Sequence, residues 1–247
     1  MKILFSPSET KTPNSPIQKP LKSALWHSDL FHYRLEAIHS YDKFLTTGTN
    51  EQLSQLFGLK DQTLIDALKN QPLLEAPLQK AILRYTGVAY DYLSYLTLPK
   101  DAQRFIQNNV IIFSNLLGPL LAGDAIPNYK LKQGENIDGF APEKHYKATF
   151  STALDTFLEQ ELIIDLRAGF YEKFYTVSVP YLTCKFLKNG KSVSHWAKAY
   201  RGLLLRALAI HQPNSEDAFL AIPFEGLHVK EIIHKKFKKE YVFDIID

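Results

Sequence analysis

Lys2-Ile3-Leu4-Phe5-Ser6-Pro7-Ser8-Glu9-Thr10-Lys11 is the stretch on which the predicted fold rests. Its first half predicts a short buried strand over residues 2–6, because an apolar run ends at a proline that forces its predecessor out of helical geometry. The polar second half predicts a loop directly after that strand. This is the position at which α/β sheets usually bind ligands, so the loop is a candidate site.

Helical and strand patterns follow one another along the rest of the chain. Apolar residues at helical spacing predict helices, and β-branched apolar runs predict strands. The predicted helices are residues 21–45, a pair within 50–68, 78–95, 100–107, 144–158 and 196–211. The predicted strands are residues 110–113, 162–166, 177–187, 192–195, 218–222, 229–233 and 241–245, with a long connection at 114–134. The pattern predicts a single α/β domain over residues 1–247, with a mixed central sheet surrounded by helices.

Composition excludes several classes of protein. The chain of 247 residues is 45% hydrophobic and 22% charged, as is usual for a folded domain. Its one cysteine, Cys184, excludes an internal disulfide and indicates a reducing compartment, so we expect a cytoplasmic protein. No segment is apolar for long enough to predict a signal peptide or a membrane span.

The cations are distributed unevenly. Residues 173–215 contain seven Lys and Arg residues and no Asp or Glu, although the whole chain carries a formal net charge of only +3. Such a segment can neutralise phosphates, and it can equally be a solvated basic face whose acids come from elsewhere in the fold. We interpret it as a surface for double-stranded DNA. The predicted contacts are Lys188 and Lys191 at an Asn-Gly hairpin tip, and Lys198, Arg201 and Arg206 on the next helix.

A second candidate DNA contact is the turn at Gly58. Leu56-Phe57-Gly58-Leu59-Lys60 resembles the centre of a helix–hairpin–helix, in which a glycine turn exposes backbone N–H groups to a phosphate. Lys60 stands where a second glycine is usual, so a plain helical hairpin remains the alternative. Gly58 and Lys60 are therefore secondary candidates.

Metal and cofactor sites are not predicted. None of the eight histidines lies in a His-Glu-x-x-His pair, and Cys184 stands among strand residues, as a core cysteine does. The chain also has no Walker, dinucleotide or Gly-x-Ser-x-Gly signature. We therefore expect no metal and no cofactor.

An enzyme is the alternative to a DNA-binding protein. Polar residues after the predicted strands could form a cleft in which cations hold a nucleotide or nucleobase-like ligand and Glu9 or Glu225 acts as acid or base. The candidate cleft residues are Ser6, Glu9, Lys11, Ser114, Tyr129, Lys130 and Glu225, joined by Lys198 and Arg201. A cavity in which they converge would favour the enzyme, and a flat basic face would favour DNA. An iron-handling scaffold is a third, weaker hypothesis.

Several short motifs, in order, resemble the peroxide stress protein YaaA family. The opening stretch is similar to that family's first strand and Ser-Pro turn, and Tyr85-Thr-Gly87-Val-Ala-Tyr90 is similar to its aromatic–x–Gly–x–x–Tyr element. Phe113-Ser114-Asn-Leu-Leu-Gly118, with Asp124 and Tyr129-Lys130-Leu131, resembles a Leu-Ser-Gly-Leu-Tyr-Gly…Tyr-Arg-Leu stretch. Ala197-Lys198-Ala-Tyr-Arg201-Gly202 and Glu225-Gly226 resemble its late motifs. Leu121-Ala122 and Asp165–Tyr171 depart from the pattern.

The resemblance implies a function beyond what the residues predict by themselves. It implies a DNA-binding protein with a helix–hairpin–helix and a basic cleft, which limits oxidative damage to DNA and intracellular iron under peroxide stress. The oligomeric state is left open.

Overall fold

The computed structural model describes residues 1–70 and 72–246. Its strands alternate with helices, as in other mixed α/β domains. The strands are β1 (Lys2–Phe5), β2 (Leu78–Lys80), β3 (Val110–Ser114), β4 (Gly118–Leu121), β5 (Ala125–Pro127), β6 (Ile163–Asp165), β7 (Tyr181–Lys188), β8 (Lys191–Ser192), β9 (Leu227–Lys235) and β10 (Lys238–Ile245). The α-helices are α1 (Phe31–Thr47), α2 (Asn50–Phe57), α3 (Gln62–Lys69), α4 (Ala81–Arg84), α5 (Val88–Leu93), α6 (Lys100–Asn109), α7 (Pro142–Leu158), α8 (Ser194–His211) and α9 (Glu216–Leu220).

One mixed sheet organises the domain, in the strand order β4-β3-β1-β6-β7-β10-β9, with β8 paired to β7. The strands from β3 to β10 in this order run parallel, and β4 and β9 are antiparallel at its two edges. β1 is almost fully buried at the centre because its Ile-Leu-Phe run lets it pack on both faces. The predicted α/β domain with a mixed central sheet is therefore confirmed, and β2 and β5 form a separate small sheet.

Most long elements match their prediction, and the strand pair around Lys188 does so in detail. Leu187 pairs with Ser192 and Lys188 with Lys191 across the turn. Asn189 and Gly190 have φ angles of 52° and 73°, so both central residues are left-handed, as a type I′ turn requires. The hairpin prediction is confirmed.

Five predictions of secondary structure are wrong. The predicted strand 192–195 is one of them, because β8 ends at Ser192 and α8 begins at Ser194. Residues 21–30 form two short 3-10 helices before α1, because His27 has a left-handed φ of 52°. Residues 78–95 form β2, α4 and α5 instead of one helix, since Gly87 breaks the pattern with a φ of 103°. The connection 114–134 contains β4 and β5. Residues 218–222, predicted as a strand, lie largely in α9, whose first turn is capped by the Ser215 side chain.

A buried arginine and a buried carboxyl lie where the β4–β5 turn meets the start of α1. Arg34 is fully buried and donates to the carbonyl oxygens of Trp26, Leu117 and Pro119. Asp124 accepts from the Leu121 backbone N–H at 3.0 Å and is 8% exposed. Burial raises the pKa of Asp124 from 3.8 to about 6, against the opposing effects of the Trp26 backbone and Arg34.

The pKa of Asp124 predicts a pH-dependent stability. Between about pH 4 and pH 6 the folded protein keeps a proton that the unfolded chain has lost, so the free energy of unfolding falls as pH rises, by up to about 3 kcal/mol. Urea unfolding at a series of pH values measures this fall. Asp124→Asn is expected to flatten the dependence of unfolding free energy on pH in this window. Asp101→Asn, at an exposed position, is the control and should leave that dependence unchanged. Parallel profiles for wild type and Asp124→Asn would contradict the assignment.

No helix in residues 1–70 and 72–246 is long and apolar enough to cross a membrane.

Candidate functional site

A cavity opens at the carboxyl end of the internal strand β1. Its volume is about 380 Å³. We call it the α8 cavity, because one wall is formed by the cations of that helix. It is lined by residues 5–10 after β1, by residues 86–90 around the start of α5, and by Gln133, Ala168, Tyr171, Lys198 and Arg201. The site predicted after the first strand is therefore a real concavity in the fold.

Ser6 ties three walls of the α8 cavity together. Its hydroxyl accepts a hydrogen bond of 2.8 Å from the backbone N–H of Ala168, which follows β6. Its carbonyl oxygen accepts one of 2.9 Å from the Tyr90 hydroxyl on α5. Since β1 and β6 are parallel neighbours, their carboxyl ends meet here and Ser6 fixes the distance between them.

Gly87 brings the loop before α5 against the loop after β1. Its φ of 103° and ψ of 177° are accessible only to glycine, and a Cβ would lie 3.2 Å from the Thr10 hydroxyl and 3.3 Å from the Ser8 hydroxyl. The Thr10 hydroxyl donates to the Thr86 carbonyl oxygen at 3.0 Å, and the Thr86 N–H donates to the Thr10 carbonyl oxygen. The Ser8 and Thr10 hydroxyl groups therefore lie close to Gly87, and all three residues line the α8 cavity.

Lys198 and Arg201 supply the positive wall. They are three residues apart on α8, so they share a helix face, as predicted. Lys198 is exposed and Arg201 is half-buried. The buried Nε of Arg201 has no hydrogen-bond partner among the described residues. Burial lowers the pKa of Arg201 while nearby Asp165 raises it, and a guanidinium stays charged in proteins. This wall therefore offers two cations with spare donors to an anion.

A buried ion pair supports the wall that contains Tyr171. Arg167 donates to both Asp165 carboxylate oxygens, from Nε at 2.9 Å and from Nη2 at 2.7 Å. Its Nη1 donates to the carbonyl oxygens of Tyr171 and Tyr175, at 3.0 Å and 2.9 Å. The pair thereby holds the 3-10 helix Gly169–Lys173, which places Tyr171 in the cavity wall.

A second cavity, of about 390 Å³, lies next to the first and shares Glu9 and Thr10 with it. We call it the Lys11 cavity. Lys11, Tyr129 and Lys130 line it together with leucines of α3 and of the turn before it. Lys130 Nζ donates to the Glu9 carbonyl oxygen at 3.3 Å, and Glu9 Oε1 accepts from the Gln133 N–H at 3.1 Å. The loop of residues 8–11 is thus the partition between the two cavities.

The predicted cleft is divided rather than single. Ser6, Glu9, Lys198 and Arg201 meet in the α8 cavity, whereas Lys11, Tyr129 and Lys130 belong to the Lys11 cavity. Ser114 is fully buried and bonded to the Tyr129 hydroxyl at 2.6 Å, so it lies behind the Lys11 cavity wall. Glu225 is exposed in the turn before β9 and lines neither cavity, which corrects its placement in the cleft.

The other predicted DNA contacts lie outside the cavities. Lys188 and Lys191 pair across the hairpin, and Lys188 Nζ lies 5.2 Å from the centroid of the Trp196 ring. Arg206 Nη1 donates to Leu93 O, Ser94 O and Thr97 Oγ1, which ties α8 to the end of α5. As DNA contacts, these three residues remain predictions.

The Gly58 turn is not confirmed as a helix–hairpin–helix. Gly58 ends α2 with a left-handed φ of 63°, and the Asp61 side chain caps α3, so two short helices do flank the turn. However, the N–H groups of Gly58 and Leu59 donate to the Gln55 and Ser54 carbonyl oxygens. A Cβ on Gly58 would also lie 2.9 Å from the Lys132 side chain. These N–H groups are therefore already used within the fold. Lys60 is exposed beside the turn.

Sequence reasoning missed part of the site. Thr10, Gly87, Tyr90 and Tyr171 line the α8 cavity but were not among the candidate cleft residues. The available signal was the motif Tyr85-Thr-Gly87-Val-Ala-Tyr90, which carries the family resemblance yet was interpreted as helix. Among the side chains that the structure describes, no three His, Cys, Asp or Glu are grouped so that they could hold a metal ion.

Comparison with known proteins gives a consistent set of relatives. A family model described as Peroxide stress protein YaaA matches residues 1–232. Uncharacterized protein Cj0984 of Campylobacter jejuni subsp. jejuni serotype O:2 is 48% identical over 248 residues, which cover all of both chains. UPF0246 proteins of Corynebacterium efficiens and Corynebacterium glutamicum are 35% and 32% identical, over 85% and 94% of this chain and 85% and 95% of theirs. The range that the family model matches includes every residue lining the two cavities.

Proposed function

Since the chain belongs to the peroxide stress protein YaaA family and so has a role in peroxide stress, we propose that it acts in this response by binding DNA. DNA phosphates would be held at the α8 cavity by Lys198 and Arg201, and the bound DNA would be protected from oxidative damage. Lys188, Lys191, Arg206 and Lys60 would extend the contact outside the cavity.

The observation that carries this proposal is the state of the Arg201 guanidinium. Arg201 lines the cavity, and its buried Nε has no hydrogen-bond partner among the described residues. A buried donor without a partner is unfavourable by about 1–3 kcal/mol, so an anion that accepts a hydrogen bond from it is favoured at this position. An arginine pairs with a phosphate through two parallel hydrogen bonds, and Lys198 adds a second charge on the same side.

DNA binding is tested by fluorescence anisotropy with a labelled duplex between about 50 and 200 mM salt. We expect Lys198→Ala/Arg201→Ala to weaken binding at least about tenfold and to reduce the slope of log affinity against log salt by about 1 for each lost contact. Lys22→Ala/Lys144→Ala is the matched control, because it removes two exposed cations that line neither cavity. If the cavity variant binds with the wild-type affinity and slope, the assignment is wrong.

The shape of the site favours one further candidate function. A cavity of about 380 Å³ is of the size that encloses small ligands, and it is too small for a duplex. An enzyme acting on a nucleotide or nucleobase-like ligand is therefore the alternative, with Glu9 as the carboxylate that lines the same cavity as Lys198 and Arg201. Isothermal titration with mononucleotides separates the two functions. The enzyme is favoured if the double variant loses mononucleotide binding and keeps duplex binding.

A further inference from the structure

Lys11 is held in place by backbone pairing that its loop position does not suggest. It forms an antiparallel β-bridge with Tyr85, and the N–H of the next residue, Thr12, donates to the Arg84 carbonyl oxygen at 2.9 Å. The Arg84 guanidinium in turn donates to the Thr12 and Asn14 carbonyl oxygens. The backbone on both sides of Lys11 is therefore fixed, and its side chain is directed into the Lys11 cavity.

The surroundings of the Lys11 amine are those of a group without a counterion. Nζ makes one hydrogen bond, to the Ser8 carbonyl oxygen at 3.3 Å, and no carboxylate of the described residues lies within salt-bridge distance of it. It lies 4.1 Å from the centroid of the Tyr129 ring and 5.1 Å from that of Tyr85. Behind these rings, the Tyr85 and Tyr129 hydroxyls bond to each other at 3.1 Å.

Burial and neighbouring cations lower the pKa of Lys11 to about 7. Burial is the largest cause, followed by Lys130, while Glu9 raises the pKa and Arg84 lowers it. The two tyrosine ring faces act in the same direction as Glu9, because they favour a cation. The residues of α3 that line the cavity, Leu64, Ala67 and Leu68, carry no charge. A large fraction of the Lys11 side chain is therefore a neutral amine near pH 7, unlike an ordinary lysine.

The cavity in front of this amine has two unlike walls. Leu59, Leu64 and Leu68 form an apolar wall, and Asn128, Lys130 and Glu9 form a polar one. The leucine side chains offer apolar contact to the carbon atoms of a ligand, and Lys130 offers a charge to an anionic substituent. The combination suits an organic anion of small size.

We propose that Lys11 is an imine-forming amine, and that its cavity takes an aldehyde that also carries a phosphate. Nζ attacks the aldehyde carbon, so that a carbon–nitrogen bond forms while the carbonyl electron pair moves to oxygen. The oxygen then leaves with the two amine hydrogens as water, and a carbon–nitrogen double bond remains. No oxidant or reductant takes part.

The ligand has two possible sources. An abasic site in DNA exposes a sugar aldehyde between two phosphates, and free phosphorylated aldehydes present the same groups without DNA. Both suit the Lys11 cavity, and a role in peroxide stress is compatible with both, since oxidation of sugars produces aldehydes. The imine does not depend on DNA binding at the α8 cavity, because the free aldehyde would react even if that proposal failed.

The test traps the imine by reduction. Wild-type protein at pH 7.4 is incubated with sodium cyanoborohydride and a limiting amount either of pyridoxal 5′-phosphate or of a duplex containing one abasic site, and modified peptides are mapped by mass spectrometry. We expect Lys11 to be labelled on the order of 10²-fold faster than exposed lysines, because far more of it is unprotonated. Its rate should level off above about pH 8, whereas exposed lysines continue to gain reactivity up to about pH 10.

Lys11→Arg keeps the positive charge but cannot form an imine, and it is expected to lose the fast label. Lys22→Arg, at an exposed position, is the matched control and keeps it. Labelling by the free aldehyde alone identifies a small-molecule ligand, and labelling by the abasic duplex identifies damaged DNA. The proposal is overturned if Lys11 reacts no faster than exposed lysines in both arms, or if its rate rises with theirs up to pH 10. Both of these outcomes are measured on the wild-type protein, so they stand even if the variant does not fold.

Discussion

Replacing Gly202 by alanine is expected to lower the free energy of unfolding by about 2–3 kcal/mol. Gly202 lies inside α8, where helix propensity alone favours alanine by about 0.5–1 kcal/mol. However, a Cβ at this position would lie 2.1 Å from the Ala89 carbonyl oxygen and 3.1 Å from the Leu93 nitrogen, both on α5. The contact is with backbone that cannot rotate away, so the two helices must separate.

Urea unfolding measures the loss, and Gly169→Ala is its matched control. A Cβ on Gly169 would meet no atom within 4 Å, and its φ is not in the left-handed region, so this change should alter stability by less than about 0.5 kcal/mol. Because α5 also carries Tyr90 into the α8 cavity, Gly202→Ala should weaken ligand binding there as well. A stability equal to or above wild type would show that α8 and α5 can separate without loss.

Replacing Asp165 by alanine is expected to lower the free energy of unfolding by about 3–5 kcal/mol. The change leaves the Arg167 guanidinium buried without its carboxylate, while its other two hydrogen bonds still hold it in place. The 3-10 helix that carries Tyr171 should loosen, and Arg201 should lose its nearest attracting charge. Thermal and urea unfolding measure the loss of stability. Fluorescence anisotropy with labelled DNA measures the effect of the lost charge on binding at Arg201.

A double-mutant cycle separates the ion pair from the loss of each side chain. The loss of unfolding free energy in Asp165→Ala/Arg167→Met should be smaller than the sum of the losses in the two single variants, by more than about 1 kcal/mol. The matched control is the exposed pair of Asp101 and Arg104, three residues apart on α6, for which we expect a coupling below about 1 kcal/mol. Equal coupling in the two cycles would mean that burial of Asp165 and Arg167 adds nothing.

Local patterns predicted the elements whose geometry is determined by neighbouring residues. The run Ile3–Phe5 shortly before a proline predicts a strand, and Asn189-Gly190 between two extended segments predicts a turn, from neighbouring residues alone. The α9 error was avoidable, because Ser215 followed by Glu216 and Asp217 is a helix start. The break at Gly87 was predictable only in part, since a glycine within apolar spacing can separate two segments but also occurs inside helices.

The sequence predicted which loop and which helix contribute to the candidate site, but it did not predict that the site is divided into two cavities. Ser6, Glu9, Lys198 and Arg201 do meet, since a loop at the carboxyl end of a strand and a basic helix face are both readable from sequence. The separation of Lys11 from Lys198 depends on the β-bridge to Tyr85, which joins residues far apart in the chain. Long-range pairing of a single residue leaves no periodic signal.

The position of β1 has a consequence for biosynthesis. This strand leaves the ribosome before its neighbours, yet its two partners, β3 and β6, begin at Val110 and Ile163. The centre of the sheet therefore assembles only after about two thirds of the chain has been translated. Until then an apolar strand with at least one unpaired edge is open to other nascent chains and to chaperones. Conditions that slow translation lengthen this exposed interval, so newly made chains should be more vulnerable to aggregation than the finished protein.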